Sequence, residues 1–194
     1  MPADPSSVIL LGVLASLGAG LATGVGALPA LLLRDISEQV QDVLLGFAAG
    51  VMLAASFFSL ILPGIEAAEV QGAGEIGAVV IVISGILLGA AGLWLIHRYA
   101  PHEHFISGPE GPRTAQFRRI WLFVIAITLH NFPEGLAVGV GFGGGDIDNG
   151  IALAVGIGLQ NMPEGLAVAL ALLTLDYSRA QALLVATLTG LVEP

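Results

Sequence analysis

The sequence predicts an all-α fold: a polytopic bundle of transmembrane helices whose fourth and fifth members form an inverted repeat, broken at Pro133 and Pro163. Three observations carry that reading. Only 11% of the 194 residues are charged and 56% are apolar, with a mean hydropathy of +0.91. A soluble protein carries about 25% charge, and a water-soluble globule of this length could not hide so much apolar surface. Stretches almost free of charge, each about the 20 residues that a bilayer core demands, recur along the chain. Finally, Asn-x-Pro-Glu-Gly occurs twice, once in each of two consecutive apolar stretches.

The first span, about 6–33, far exceeds the roughly 7–15 apolar residues of a secretory signal. No basic cluster precedes it, so it is a retained span. Spans two and three cover about 43–65 and 76–97. The fourth, 119–143, is interrupted by His130 and Glu134, and the fifth, 149–175, by Glu164. A partial sixth begins at 180, but the about 15 residues to 194, at about 1.5 Å each, cannot cross a bilayer. The sequence therefore reads as one transmembrane domain, 1–194, cut within its sixth helix. Segment 98–118, with Pro101, Pro109 and Pro112, reads as a flexible loop. The Gly-rich connector after Gly143 is short enough to make spans four and five antiparallel neighbours.

Charge placement orients the bundle. All the basic residues are arginines: Arg34, Arg98, Arg113, Arg118, Arg119 and Arg179. They fall in the first, third and fifth connectors, which the positive-inside rule assigns to the cytoplasm of a cell (inner or plasma) membrane. The N-terminus is then outside, with Asp4, Glu66, Glu69, Glu75, Asp146 and Asp148. An outer face without a basic residue would gather cations near an entrance, although acidic loops also serve solubility alone. An excess of 15 acidic over 6 basic residues excludes nucleic acid as a partner; the partners expected are the lipid bilayer and cations. The chain has no Cys, which removes thiolate metal sites and cysteine nucleophiles together.

Polar residues stand where an apolar helix should have none. His130-Asn131-Phe132-Pro133-Glu134-Gly135 lies mid-span, and Gln160-Asn161-Met162-Pro163-Glu164-Gly165 repeats it on the next helix, which runs the other way. Inverted repeats with interrupted helices place substrate sites at the bilayer midplane in many transporters. His130 and Glu134, one helical turn apart, share a face, as do Gln160 and Glu164. Each proline withdraws a backbone donor, freeing the carbonyls of Leu129 and Leu159. Gly135 and Gly165 are expected to let these two helices approach closely.

An ionised carboxylate at the bilayer centre costs about 2.5–3.5 kcal/mol even on insertion scales. No Lys exists and no Arg lies within a span, so a bound divalent cation is the neutralising partner. Imidazole, carboxylates and amide oxygens suit Zn²⁺, with Cd²⁺, Fe²⁺ or Mn²⁺ as alternatives, held exchangeably as cargo with no catalytic cofactor. The plain alternative, interhelical hydrogen-bonding glue, fits a lone Asn better than a duplicated motif with proline in each copy. Glu193, again before a proline, is a third intramembrane carboxylate and candidate ligand, and Met52 a weaker thioether candidate. His102-Glu103-His104, near His97, is a short His tract that reads more simply as solvated loop. Small residues on span two (Gly46, Gly50, Ala54) and span three (Gly85, Gly89, Gly92) suit close span packing or a homodimer face.

At these motifs the chain resembles the ZIP (Zrt/Irt-like) family of divalent-metal transporters, in its prokaryotic branch. The resemblance runs over essentially the whole chain and implies eight spans, of which the last two and most of the sixth are missing. It implies a primary metal site at His130, Glu134, Gln160 and Glu164, with the thioether of Met52. Asn131, Asn161 and Glu193 would form a neighbouring second site, bridged to the first by Glu134 and Glu164. Relatives with two metals often carry Asp at the position of Asn161, so the neutral amide predicts a weaker second site here. The resemblance also implies that spans one, four, five and six move against the others, bringing metal inward by alternating access. Two other functions compete with secondary transport. One is an intramembrane zinc metalloenzyme, of which a protease would show His-Glu-x-x-His, whereas this chain has His-x-x-x-Glu and no second intramembrane His. A metal sensor or structural membrane protein is the other.

Overall fold

A computed structural model describes residues 5–33, 35–99, 112–143 and 146–194. Helix α1 (Pro5–Ala27) ends in a 3₁₀ turn, Leu28–Leu31. Helix α2 (Glu38–Ala54) begins at Ser37, whose hydroxyl accepts from the Val40 amide. It passes through a π-helical turn, Ala55–Ile61, into α3 (Leu62–Val70). Positive-φ Gly72 and Gly74 make the tight turn into α4 (Gly74–Tyr99). Helix α5 (Pro112–Gly143) and α6 (Ile147–Leu173, capped by Asp146) follow. Helix α7 (Arg179–Gly190) starts in a reciprocal capping box between Ser178 and Gln181.

Among the described residues, five helical stretches are long and apolar enough to cross a membrane: Ser6–Leu31, Glu38–Val70, Gly74–Leu95, Gln116–Gly143 and Ile147–Leu173. Two differ in extent from the sequence reading. The second runs beyond 43–65 at both ends because Glu38, Asp42, Glu66 and Glu69 are carried on the helix itself. Helix α5 starts at Pro112, inside the segment assigned to loop, since proline's fixed φ and missing donor suit a first turn. The first residues of that loop, Arg98 and Tyr99, end α4, and 100–111, with His102 and His104, lie outside the described residues, as do Asp4 and Arg34.

The expected breaks at Pro133 and Pro163 are corrected: both prolines sit inside uninterrupted α-helices. Neighbouring helices hold the chain in register where the ladder loses a bond, which membrane helices tolerate. Pro63 disturbs its helix more, because the π turn immediately precedes it. The Ser59 carbonyl, deprived of an amide at position 63, accepts instead from Asn149 Nδ2 on α6 at 3.0 Å.

Helix α6 is the central element; half of its most apolar window is buried, against 6% for the second and third spans. It runs antiparallel to α5, with Gln116 against Thr174, Glu134 against Gln160 and Gly141 against Leu153. It runs parallel to α1, where Gly158 meets Ala19 and Gly165 meets Thr23. Helix α7 is antiparallel to α1, through Gly20 with Gly190 and Gly24 with Thr187, and parallel to α5. Small residues at every one of these crossings let backbones touch, the packing that works where water supplies no driving force.

Candidate metal centre

Glycine positions the centre, though not as expected from the motifs. Gly135 and Gly165 do not face each other. A methyl on Gly135 would collide with the Glu193 backbone just beyond α7, and one on Gly165 with the Thr23 backbone on α1. The amides one turn earlier follow the same division. Asn131 Nδ2 donates to the Thr189 carbonyl of α7 at 3.0 Å, and Asn161 Nδ2 to the Ala19 carbonyl of α1 at 2.9 Å. Helix α5 therefore holds α7 as α6 holds α1. The duplication extends to the outer pair: Gly20-Leu21-Ala22-Thr23 corresponds to Gly190-Leu191-Val192-Glu193, and Gly20 and Gly190 abut backbone to backbone.

Inside this frame His130, Glu134 and Glu164 each bring one ligand atom within 4.8 Å of the others. His130 Nε2 lies 3.4 Å from Glu134 Oε1 and 3.9 Å from Glu164 Oε1. Both carboxylates are buried, while the His130 side chain is 44% exposed and borders a cavity of about 250 Å³. Met52, Ser56 and Glu134 share that cavity, so the structure brings the thioether of span two to the His–Glu pair.

A chain of hydrogen bonds continues from there. Gln160 Nε2 donates to Glu134 Oε1 and to Asn161 Oδ1, both at 2.5 Å. Asn161 Nδ2 in turn donates to Glu193 Oε1 at 2.6 Å. Glu193 is 5% exposed, and its carboxyl carbon packs against Gly20. All eight residues singled out in the sequence are thus around one centre, with Asn131 held at its α7 side.

The unpartnered atoms state its chemistry. Asn131 Oδ1, Glu134 Oε2, Gln160 Oε1, Glu164 Oε2 and Glu193 Oε2 are buried without a hydrogen-bond partner. All five are acceptors. Buried acceptors without donors cost about 1–3 kcal/mol each, more when charged. Three carboxylates, two amide oxygens and an imidazole, with no Lys or Arg among them, make a donor set that a divalent cation satisfies. Sequence reasoning missed two further buried orphans, the hydroxyls of Ser16 and Thr23 on α1. For Thr23 the signal is the short match of Gly20-Leu21-Ala22-Thr23 to Gly190-Leu191-Val192-Glu193; the sequence has none for Ser16.

Comparison with known proteins adds the following. The family profile described as "ZIP Zinc transporter" matches residues 100–194. The chain is similar to the zinc transporter GufA of Myxococcus xanthus, 45% identical over 94% of this chain and 72% of that protein. It is 49% identical to the zinc transporter ZIPB of Bordetella bronchiseptica, over 89% of this chain and 56% of that protein. To the zinc transporter ZupT of Chlorobium chlorochromatii it is 38% identical, over 96% of this chain and 72% of the relative. The chain thus spans between about half and three quarters of the length of these relatives.

Proposed function

Because the chain belongs to the ZIP family of zinc transporters, in its prokaryotic branch, we propose that its centre carries a divalent cation, Zn²⁺ first, across the membrane toward the cytoplasm. The chain is a transporter component and not an enzyme. His130, Glu134, Gln160 and Glu164, with Met52, hold the cargo at a primary site. Asn131, Asn161 and Glu193 serve a second, weaker one, with Glu134 and Glu164 between them. Cd²⁺, Fe²⁺ and Mn²⁺ suit the same donors.

The observation that carries this reading is the set of five buried acceptor oxygens without a donor, around three carboxylates that no protein cation neutralises. A cation in transit supplies what the protein withholds, and the absence of thiolates keeps it exchangeable. For the metal to bind between them, the Gln160 amide turns over, bringing its orphaned oxygen to the Glu134 side.

Release toward the arginine-bearing side is supported by a cavity of about 370 Å³. Its lining runs from Asp35, Gln41 and Thr174, next to the arginine-bearing connectors in sequence, to Pro163, the residue before Glu164. Leu153 and Ile157 border the smaller cavity beside His130 and Glu134. The α1, α5, α6 and α7 group moving against span two and α4 accounts for alternation. An N-terminus outside and a homodimer are further parts of the proposal.

The test is uptake into proteoliposomes carrying the full-length protein. Saturable Zn²⁺ entry, lost in Glu164→Ala, is expected. Full-length protein that binds Zn²⁺ yet moves none across sealed vesicles would overturn transport in favour of a sensing or structural role.

A further inference from the structure

The extended duplication gives each ligand position a counterpart: His130 with Gln160, Asn131 with Asn161, Glu134 with Glu164. It also gives Glu193 a counterpart, Thr23. Glu193 stands one turn beyond the carbonyl that Asn131 reaches, and Thr23 one turn beyond the carbonyl that Asn161 reaches. Each has its backbone against a motif glycine, and each side chain lies against the abutting glycine of the other helix, Glu193 on Gly20 and Thr23 on Gly190.

Apart from the bonds that Gln160 makes and its counterpart His130 does not, the two halves differ at the Glu193 position. On one side Asn161 and Glu193 meet at 2.6 Å. The mirrored pair, Asn131 and Thr23, is fully buried, yet Asn131 Oδ1 and Thr23 Oγ1 both lack a partner. Threonine is two heavy atoms shorter than glutamate, so the mirrored bond cannot close.

Thr23 also forgoes the usual escape. Thr128, Thr187 and Ser84 each donate their hydroxyl to the carbonyl one turn back, at 2.7–2.8 Å. For Thr23 that carbonyl is Ala19, which Asn161 occupies. By the symmetry of the duplication the buried Thr23 hydroxyl faces the Asn131 amide across the length that Glu would have filled, which makes a place for one water molecule with polar partners on both sides.

We propose that Thr23 is a further cargo-binding residue. Its hydroxyl and the Asn131 amide oxygen hold a water molecule that serves the bound cation as a neutral oxygen ligand, where Glu193 supplies a charged one. The proposal rests on the metal-binding reading of the centre. At this pair of positions one half then offers a carboxylate and the other a water, so the cation meets one charge fewer on the Thr23 side. Hard oxygen of this kind favours Zn²⁺ over the softer Cd²⁺.

The test is equilibrium binding of Zn²⁺ and Cd²⁺ to the purified full-length protein, wild type against Thr23→Val and Thr23→Ser. Valine keeps the shape packed against Gly165 and Gly190 and removes only the hydroxyl. Thr23→Val is expected to weaken Zn²⁺ about tenfold, as for a lost hydrogen-bonded ligand, and Cd²⁺ about twofold. Thr23→Ser should restore both, with metal-free thermal stability equal in all three proteins. Unchanged affinities in Thr23→Val would overturn the proposal. So would equal losses for both metals that serine fails to restore, since packing and not the hydroxyl would then be at work. A wild-type protein that binds neither metal would instead overturn the reading of the whole centre.

Discussion

Asn161 donates to Glu193 at 2.6 Å through the same amide nitrogen that reaches the Ala19 carbonyl, so one side chain ties α6 both to α1 and to the turn that follows α7. That nitrogen lets a buried carboxylate stand beside two others without a cation. It also sets a neutral donor in the place of the proposed second metal.

Asn161→Asp should therefore have two opposite effects. Without metal, two carboxylates face each other and the donor to Ala19 is gone, so thermal stability falls. With metal, the second site gains an anion and tightens by about tenfold or more, since two close carboxylates favour a shared cation over each other. Metal titrations with parallel melting curves check both. Two equally tight sites in the wild type, unaltered by the substitution, would contradict the assignment.

Glu164→Ala removes a carboxylate that lies within ligand distance of His130 and Glu134. Loss of a metal ligand's outer hydrogen-bond partner costs about 10–100-fold in affinity, and loss of the ligand itself exceeds that. Zn²⁺ binding should fall by more than about a hundredfold. Folding should be retained, because the substitution also relieves repulsion between buried carboxylates. Wild-type affinity in this variant would sink the site.

The legible part of the centre was the part with a cost. His130, Glu134 and Glu164 stand out because charge in an apolar helix demands a reason, and their duplication supplied it. Thr23 was illegible because threonine in such a helix ordinarily satisfies itself one turn back, as Thr128 does on Val124. Only the tertiary contact that gives Ala19 to Asn161 removes this option. The motif glycines were read correctly as close-approach positions but assigned the wrong neighbours, since periodicity shows which face is small and not what lies against it. Pro133 and Pro163 predicted breaks that packing suppresses. The π turn before Pro63 was invisible, because Ala-Ser-Phe-Phe-Ser-Leu-Ile carries no punctuation of its own.

Orientation rests on arginine placement and is open to direct chemistry, since the chain has no Cys to interfere. A cysteine at Asp146, the cap of α6, should react with an impermeant thiol reagent in intact cells. A cysteine at Ser107 should react only after permeabilisation. The reverse pattern would invert the bundle and the proposed direction of transport.

The glycines offer the sharpest contrast between helix propensity and packing. Alanine is favoured over glycine inside a helix by about 0.8–1.0 kcal/mol, so each replacement begins with a gain. At Gly139 on α5 the added methyl meets nothing within 4 Å, and Gly139→Ala should be neutral or mildly stabilising. At Gly165 and Gly135 the methyl meets backbone, of Thr23 and of Glu193, which cannot swing aside as a side chain would. Overpacking of this kind costs about 1–3 kcal/mol or more and is relieved only by separating the helices. Separation at Gly165 also breaks the bond from Asn161 to Ala19, and at Gly135 the bond from Asn131 to Thr189, so both should lose metal affinity together with stability. Thermal unfolding of the three purified variants, with and without Zn²⁺, checks this. Gly165→Ala that melts with Gly139→Ala and binds Zn²⁺ like the wild type would show that α1 and α6 do not meet there.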